Sequence, residues 1–266
     1  MRLGFALFAL MGLGCGIAAA EEVPLPRPRP QVPAWNEPRS FEEANSGAID
    51  PKEMSAQPTQ CDTRLAAVAA FQPMPRLIGP GACGGPDMVR LDAILLAGDA
   101  RIDVRPAATL RCPMAESLAS WVRDDAAPRL AELGSVLRSL ENYDDFECRG
   151  RNRVIGGKLS EHGKGNAIDV RAFALADGRR IEPTDVDQPK DLREALRDSA
   201  CRSFTTVLGP GSDGHHEAHI HLDLSERNHG YRICQWDVRE PSPVAARVPL
   251  PRPRPAELAV NTARKL

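Results

Sequence analysis

Two segments hold the residues of this chain best suited to chemistry. They are Ser160-Glu161-His162-Gly163-Lys164-Gly165-Asn166-Ala167-Ile168-Asp169 and His216-Glu217-Ala218-His219-Ile220-His221. Read in order they offer His, Asp and His. Zinc in a hydrolase takes three protein ligands from imidazoles and carboxylates and keeps a fourth position open for water. Four of the chain's six histidines lie in these segments, the others being His215 and His229. The spacing predicts a zinc centre.

Those residues must be positioned by the elements that carry them. Side chains of a strand face alternate ways. Over 219–224, Ile220, Leu222 and Leu224 then enter the core, while His219, His221 and Asp223 share the opposite face. Alone, His-x-His fits equally well two exposed imidazoles on a half-buried strand. Over 167–173, Ile168 and Val170 point inward, and Asp169 turns to the other side with Ala167. Gly163 and Gly165 let the chain fold back so that His162 reaches Asp169. The bland alternative is a glycine-rich loop whose His and Asp only form hydrogen bonds. The two segments together favour the metal.

The remaining elements follow from pattern. Cys112-Pro113-Met114 opens a helix with Pro in its first turn. Met114, Leu118, Trp121 and Val122 form its apolar face, and the pattern carries on toward Leu133. A second helix spans 189–201, with Leu192, Ala195, Leu196 and Ser199 facing inward. The strand over 167–173 joins one over 179–181 at Asp177-Gly178, a tight-turn pair. A further strand covers 205–208. Helices precede and interrupt the strands instead of alternating with them. The expected fold is α+β, a single domain with a small antiparallel sheet that carries the zinc site and has flanking helices.

The ends of the chain read differently. Residues 1–20 have the form of a signal peptide: Arg2, an apolar run from Leu3 to Leu13, and Ala18-Ala19-Ala20 before Glu21. Cys15 raises a lipoprotein alternative, but Gly12-Leu13-Gly14 makes a poor lipobox. No other stretch is apolar and long enough to span a bilayer. Cleavage after Ala20 leaves Cys61, Cys83, Cys112, Cys148, Cys201 and Cys234. An even set in an exported chain favours disulfides, with fifteen possible pairings, over thiolate zinc ligands. Val23-Pro24-Leu25-Pro26-Arg27-Pro28-Arg29-Pro30 recurs unchanged from Val248 to Pro255. Alternating Pro and Arg favours extended polyproline arms, read as stiff solvated spacers or as cationic arms for an anionic polymer. The organisation is then 21–57 as a Pro-rich disordered linker, 58–237 as the domain and 238–266 as a Pro/Arg-rich disordered tail. A formal net charge of −2 and 5% aromatic residues give no sign of nucleic-acid binding.

The Ser-x-His-x-x-Gly-x-Ala-x-Asp segment with its His-x-His strand resembles the LAS-type zinc metallopeptidases. These include D-alanyl-D-alanine carboxypeptidases, murein endopeptidases and the hedgehog signalling domain. More specifically, residues 59–236 resemble the bacterial extensin-like C-terminal domain family. That resemblance rests on Thr109-Leu110-Arg111-Cys112-Pro113-Met114-Ala115, Cys148-Arg149-Gly150-Arg151-Asn152, Gly156-Gly157-Lys158-Leu159-Ser160-Glu161-His162, Cys201-Arg202-Ser203-Phe204, Val207-Leu208-Gly209-Pro210 and His219-Ile220-His221-Leu222-Asp223-Leu224.

The resemblance implies that His162, Asp169 and His221 bind zinc, with His219 and His216 just outside the coordination sphere. Zinc lowers the pKa of its water to about 7, and His216 or His219 then serves as base or acid. Carboxypeptidase relatives place Glu three residues before the last metal His; here that position is Ala218, and Glu217 is out of register. The arrangement His216, His219, His221 matches the endopeptidase pattern instead. Arg149 is the preferred clamp for a substrate carboxylate or an oxyanion, with Arg151 beside it. Ser160 orients the metal loop or donates to a ligand.

Three functions follow as expectations. The first is an exported, periplasmic or cell-envelope zinc peptidase acting on peptidoglycan peptides. The second is a non-catalytic wall-binding module with a structural or vestigial zinc site. The third is a scaffold whose Pro-Arg arms act while the domain anchors.

Overall fold

The computed structural model describes residues 59–79, 82–98, 100–154 and 157–240. The expected signal peptide and both Pro-Arg repeats lie outside the described residues.

The chain enters through helix α1 (Gln60–Leu65) and strands β1 (Ala69–Pro73), β2 (Leu77–Ile78), β3 (Gly84–Gly85), β4 (Met88–Leu95) and β5 (Arg101–Arg111). Helices α2 (Cys112–Trp121) and α3 (Ala127–Ala131) follow, then β6 (Leu137–Asp144), β7 (Ala167–Leu175) and β8 (Arg180–Ile181). Helix α4 (Lys190–Ser203) leads to β9 (Thr206–Leu208), β10 (Ile220–Asp223) and β11 (Ile233–Gln235). One nine-stranded sheet runs β1-β4-β5-β6-β7-β10-β9-β11, with β8 paired to β7, and β2 and β3 pair separately.

The fold is α+β, but the sheet is neither small nor wholly antiparallel. β5 and β6 are parallel, as are β9 and β11. The first of these pairs needs a crossover, which α2 and α3 supply. Those helices are continuous through one π turn over Val122–Ala126. Pro128 accounts for the π turn: it has no N–H to give Asp124, and its ring crowds that carbonyl.

Ile168, Val170, Phe173, Ile220, Leu222 and Val207 fill one core with Leu118, Trp121, Leu196 and Phe204 from the helical side. Trp121 anchors it. Its ring meets Phe204 edge-on at 5.8 Å, and its indole N–H donates to Ser199 at 3.0 Å. Phe173 lies in the core although strict alternation would set it with Asp169. A bulge where Val170 and Ala172 oppose Asn142 and Glu141 inserts Arg171 and reverses the parity beyond it. Asp169 thus keeps its face while the far end of β7 still buries Phe173.

Three disulfides close this body: Cys61–Cys112, Cys83–Cys148 and Cys201–Cys234. They tie α1 to α2, the β3 segment to the stretch after β6, and α4 to the edge strand β11.

One buried charge was not foreseen. Arg193 is 2% exposed and donates to the carbonyls of Gln188, Val186 and Arg239 at 3.1, 3.2 and 2.8 Å. Val238 packs against the core beside it. Ending the chain after Glu240 should therefore leave the urea midpoint unchanged. Ending it after Asp237 should keep the domain folded but cost about 1–3 kcal/mol, because a buried donor loses its acceptor. Equal midpoints for the two truncations would refute this role of Arg239.

Candidate metal centre

Sheet register builds the site. Asp144 of β6 lies opposite Asp169 of β7, Asp169 opposite His221 of β10, His221 opposite Leu208 of β9, and Leu208 opposite Gln235 of β11. This row crosses five strands on the face away from the helices. It floors an open cleft of ≈ 430 Å³, walled by Tyr143, Arg149, Arg151, His162, His216, His219 and Arg227 among others. That volume lies in the range of small-ligand sites.

His162 arrives from outside the sheet. It begins a short 3-10 turn, His162–Lys164, and Gly165 closes that turn in the left-handed conformation at φ 64°. A side chain at Gly165 would also meet Met88 Cε at 2.6 Å. Ser160 holds the turn from before, accepting from the His162 backbone N–H at 3.3 Å. Glu161, buried beneath it, accepts from Lys164 and Asn166 at 2.7 and 2.8 Å.

Three atoms then converge. His162 Nε2 is 3.1 Å from His221 Nδ1 and 3.3 Å from Asp169 Oδ1, and His221 Nδ1 is 2.9 Å from Asp169 Oδ1. Atoms bound at 2.0–2.1 Å around one tetrahedral centre stand about 3.3 Å apart, so the spacing suits a metal. The far nitrogens decide the tautomers. His162 Nδ1 donates to the carbonyl of Asp145 at 2.7 Å, and His221 Nε2 donates to Asp223 at 3.1 Å. Each ring therefore turns its lone pair toward the Asp169 carboxylate. Three acceptors facing one another need a cation or a proton between them, and fixed far nitrogens are what metal-binding imidazoles show.

Charge in the cluster follows from this geometry. Burial works against the Asp169 carboxylate, but His162, His219 and His221 outweigh it and hold its pKa well below the ordinary value. Burial likewise works against charge on His221, yet Asp169 and Asp223 push its pKa up to about 9. Burial pushes His216 below 6.5, with Asp213 opposing, so that ring is neutral near pH 7.

His216 and His219 complete the wall. His219 Nε2 lies 3.3 Å from Asp169 Oδ2, and its ring stacks on Tyr143 at 4.7 Å. His216 Nδ1 lies 2.6 Å from Asp213 Oδ1. Two sets of three residues among those described could hold a cation: His162, Asp169 and His221, or Asp169, His216 and His219. Glu217 is exposed and turned away, accepting from the Gly211 N–H at 2.9 Å. His215 is exposed at the cleft rim and His229 is exposed outside it.

Arg149 stands in the wall, but its charge is engaged. Its Nε donates to Glu147 at 2.6 Å and its Nη2 to Asp144 at 2.7 Å. Arg227 and the exposed Arg151 have no carboxylate partner among the described residues. Arg227 is braced by Thr206 Oγ1 at 2.6 Å and the Thr205 carbonyl at 3.2 Å. Sequence reasoning missed Arg227, Tyr143 and the Asp145 carbonyl. Asp223 was legible from its shared face with His221.

An α+β domain with a buried His-Asp-His cluster on the open face of its sheet is the class that fold and site define. Residues 59–235 match the family described as Extensin-like protein C-terminus, and the chain belongs to that family. Neither a curated protein nor a solved structure matches it.

Proposed function

We propose that this protein is an exported, zinc-dependent peptidase that cleaves peptide bonds in peptidoglycan, with His162, Asp169 and His221 as the metal ligands. The observation that carries this reading is the convergence of His162 Nε2, Asp169 Oδ1 and His221 Nδ1 with both far nitrogens tied down. The likeness to LAS-type peptidases in the two segments supports it. A zinc ion held there supplies the Lewis-acid charge that polarises an amide carbonyl and makes water more acidic.

The chain's own residues supply the rest. His216, neutral near pH 7 and fixed by Asp213, accepts a proton from water, and the imidazolium so formed can return it to the leaving amine. His219, held against Tyr143 and Asp169, is the alternative carrier. Arg151 and Arg227 offer guanidinium groups to a substrate carboxylate. Arg149 keeps a role in the wall: neutralised by Asp144 and Glu147, it serves the cleft better as a strut than as the clamp. Three disulfides suit an oxidising compartment. No helix among the described residues is long and apolar enough to cross a membrane.

A specific observation favours a second reading, a non-catalytic wall-binding module with structural zinc. No carboxylate faces the cluster from the position three residues before His221, and Glu217 points away. Metal analysis of the purified protein with digestion of intact peptidoglycan separates the two. Stoichiometric zinc with newly released peptide termini supports the peptidase. Zinc without cleavage supports the binding module, and absence of zinc refutes both.

Protonation adds a check on the metal. His221 titrates from 6.5 up to about 9 on folding, so in metal-free protein its contribution to stability is complete below pH 6.5. That contribution is lost as pH rises through about 9. Asp169 behaves oppositely, contributing above its ordinary 3.8 and losing that contribution on acidification. His221 would give up that proton on holding a zinc ion. Chelator-treated protein should then lose stability between about pH 7 and pH 9.5, and zinc-loaded protein should not, as read by urea midpoints. Equal losses in both would count against His221 as a ligand.

A further inference from the structure

Asp169 has two carboxylate oxygens, and they face different partners. Oδ1 meets His162 Nε2 and His221 Nδ1, whereas Oδ2 meets His219 Nε2 at 3.3 Å. Asp169, His216 and His219 each offer an atom within 4.8 Å of the others, and all three are buried. The His216 and His219 rings stand 5.2 Å apart, and the His216 and His221 rings 5.5 Å apart. The device seen at His221 recurs at His216. Asp213 engages His216 Nδ1 at 2.6 Å, as Asp223 engages His221 Nε2, leaving the opposite nitrogen of each ring as a lone-pair donor. Tyr143 fixes the plane of His219, with 27° between the rings.

We propose that Asp169, His216 and His219 form a second, weaker divalent-cation site that shares the Asp169 carboxylate with the first, and that filling it silences catalysis. Paired metal sites with ions about 3.5–4 Å apart are an established arrangement in hydrolases. Here the second ion takes the lone pairs on His216 and His219 that proton transfer needs. It binds more weakly because its carboxylate is already shared and a like charge lies a few ångströms away. The inhibitory part rests on the peptidase reading; the cation site itself rests only on these residues.

Metal-stripped protein titrated with zinc alone, followed by calorimetry and by metal analysis after gel filtration, tests the proposal. Wild type should bind two equivalents, the second at least about tenfold more weakly. Under excess zinc, turnover should fall as the second equivalent binds. His216→Ala should keep the first equivalent and lose the second. Asp213→Asn, a milder change should His216→Ala fail to fold, should weaken the second equivalent about 10- to 100-fold and leave the first unchanged. One equivalent in wild type overturns the proposal but leaves the function above intact. No bound zinc at all overturns both. Two equivalents that neither variant disturbs would place the second ion elsewhere and overturn the proposal. Two equivalents that the variants do disturb, with turnover unaffected by excess zinc, would overturn its inhibitory part.

Discussion

His162→Ala, Asp169→Ala and His221→Ala should each lose bound zinc and peptide cleavage together, whereas His216→Ala and His219→Ala should keep the tightly bound equivalent. The two outcomes separate because the first three side chains meet at one point. Removing any of them leaves two donors, and Asp169→Ala also removes one of the two carboxylates that flank the buried His221 ring. If His216 or His219 carries the proton, its loss should cost roughly 100-fold or more in turnover with zinc retained. Glu217→Ala should do little, since that carboxylate is exposed and bonded to the Gly211 N–H. Metal analysis and turnover on each variant decide the matter. Loss of activity in Glu217→Ala with near-normal His216→Ala and His219→Ala would overturn the assignment of roles. Unchanged zinc in all three ligand variants would end the zinc reading.

Full reduction should unfold the domain. The disulfides span 51, 65 and 33 residues of sequence, and each such bridge commonly contributes about 2–4 kcal/mol. Overlap between the first two loops makes the sum less than additive. Even so, the combined loss rivals the whole stability of an ordinary domain, about 5–15 kcal/mol. Reduction should also reach the metal. Cys148 follows closely on Asp145, whose carbonyl fixes His162, so freeing the Cys83–Cys148 bridge loosens that support. Denatured, unreduced protein should contain no free thiol among these six cysteines. A reduced chain that unfolds at the same urea concentration as the oxidised one would refute the argument.

Much of the site was legible because alternation in strands is local. Ile168 and Val170 against Asp169, and Ile220 and Leu222 against His221, follow from reading every second residue. Asp177-Gly178 marked its turn for the same reason, and the apolar faces of α2 and α4 follow from helical spacing. The larger half of the sheet was not legible. Within β5, Pro106 breaks the pattern of a central strand. β6 is interrupted by register shifts against β7. Parallel pairing of β5 with β6, and of β9 with β11, depends on partners distant in sequence. Arg193 was hidden for a different reason: a helix pattern assigns charge to the outside, and the carbonyls of Val186, Gln188 and the returning Arg239 make its burial tolerable. The divided allegiance of the two Asp169 oxygens is likewise a product of three elements meeting.

Register also determines which changes of chain length this centre tolerates. Asp169 and His221 are far apart along the chain but directly opposite in the ladder. The ladder sets their separation, so the loop at 182–185, ahead of the carbonyls that hold Arg193 and of the packed helix α4, can gain or lose residues without moving either ligand. Inside β7 or β10 the opposite holds. One residue inserted before Asp169 or His221 within its strand would turn the ligand into the apolar core and bring a hydrophobic neighbour to the cleft. Length variation among related chains should therefore be found in the loop at 182–185 and be absent from these two strands.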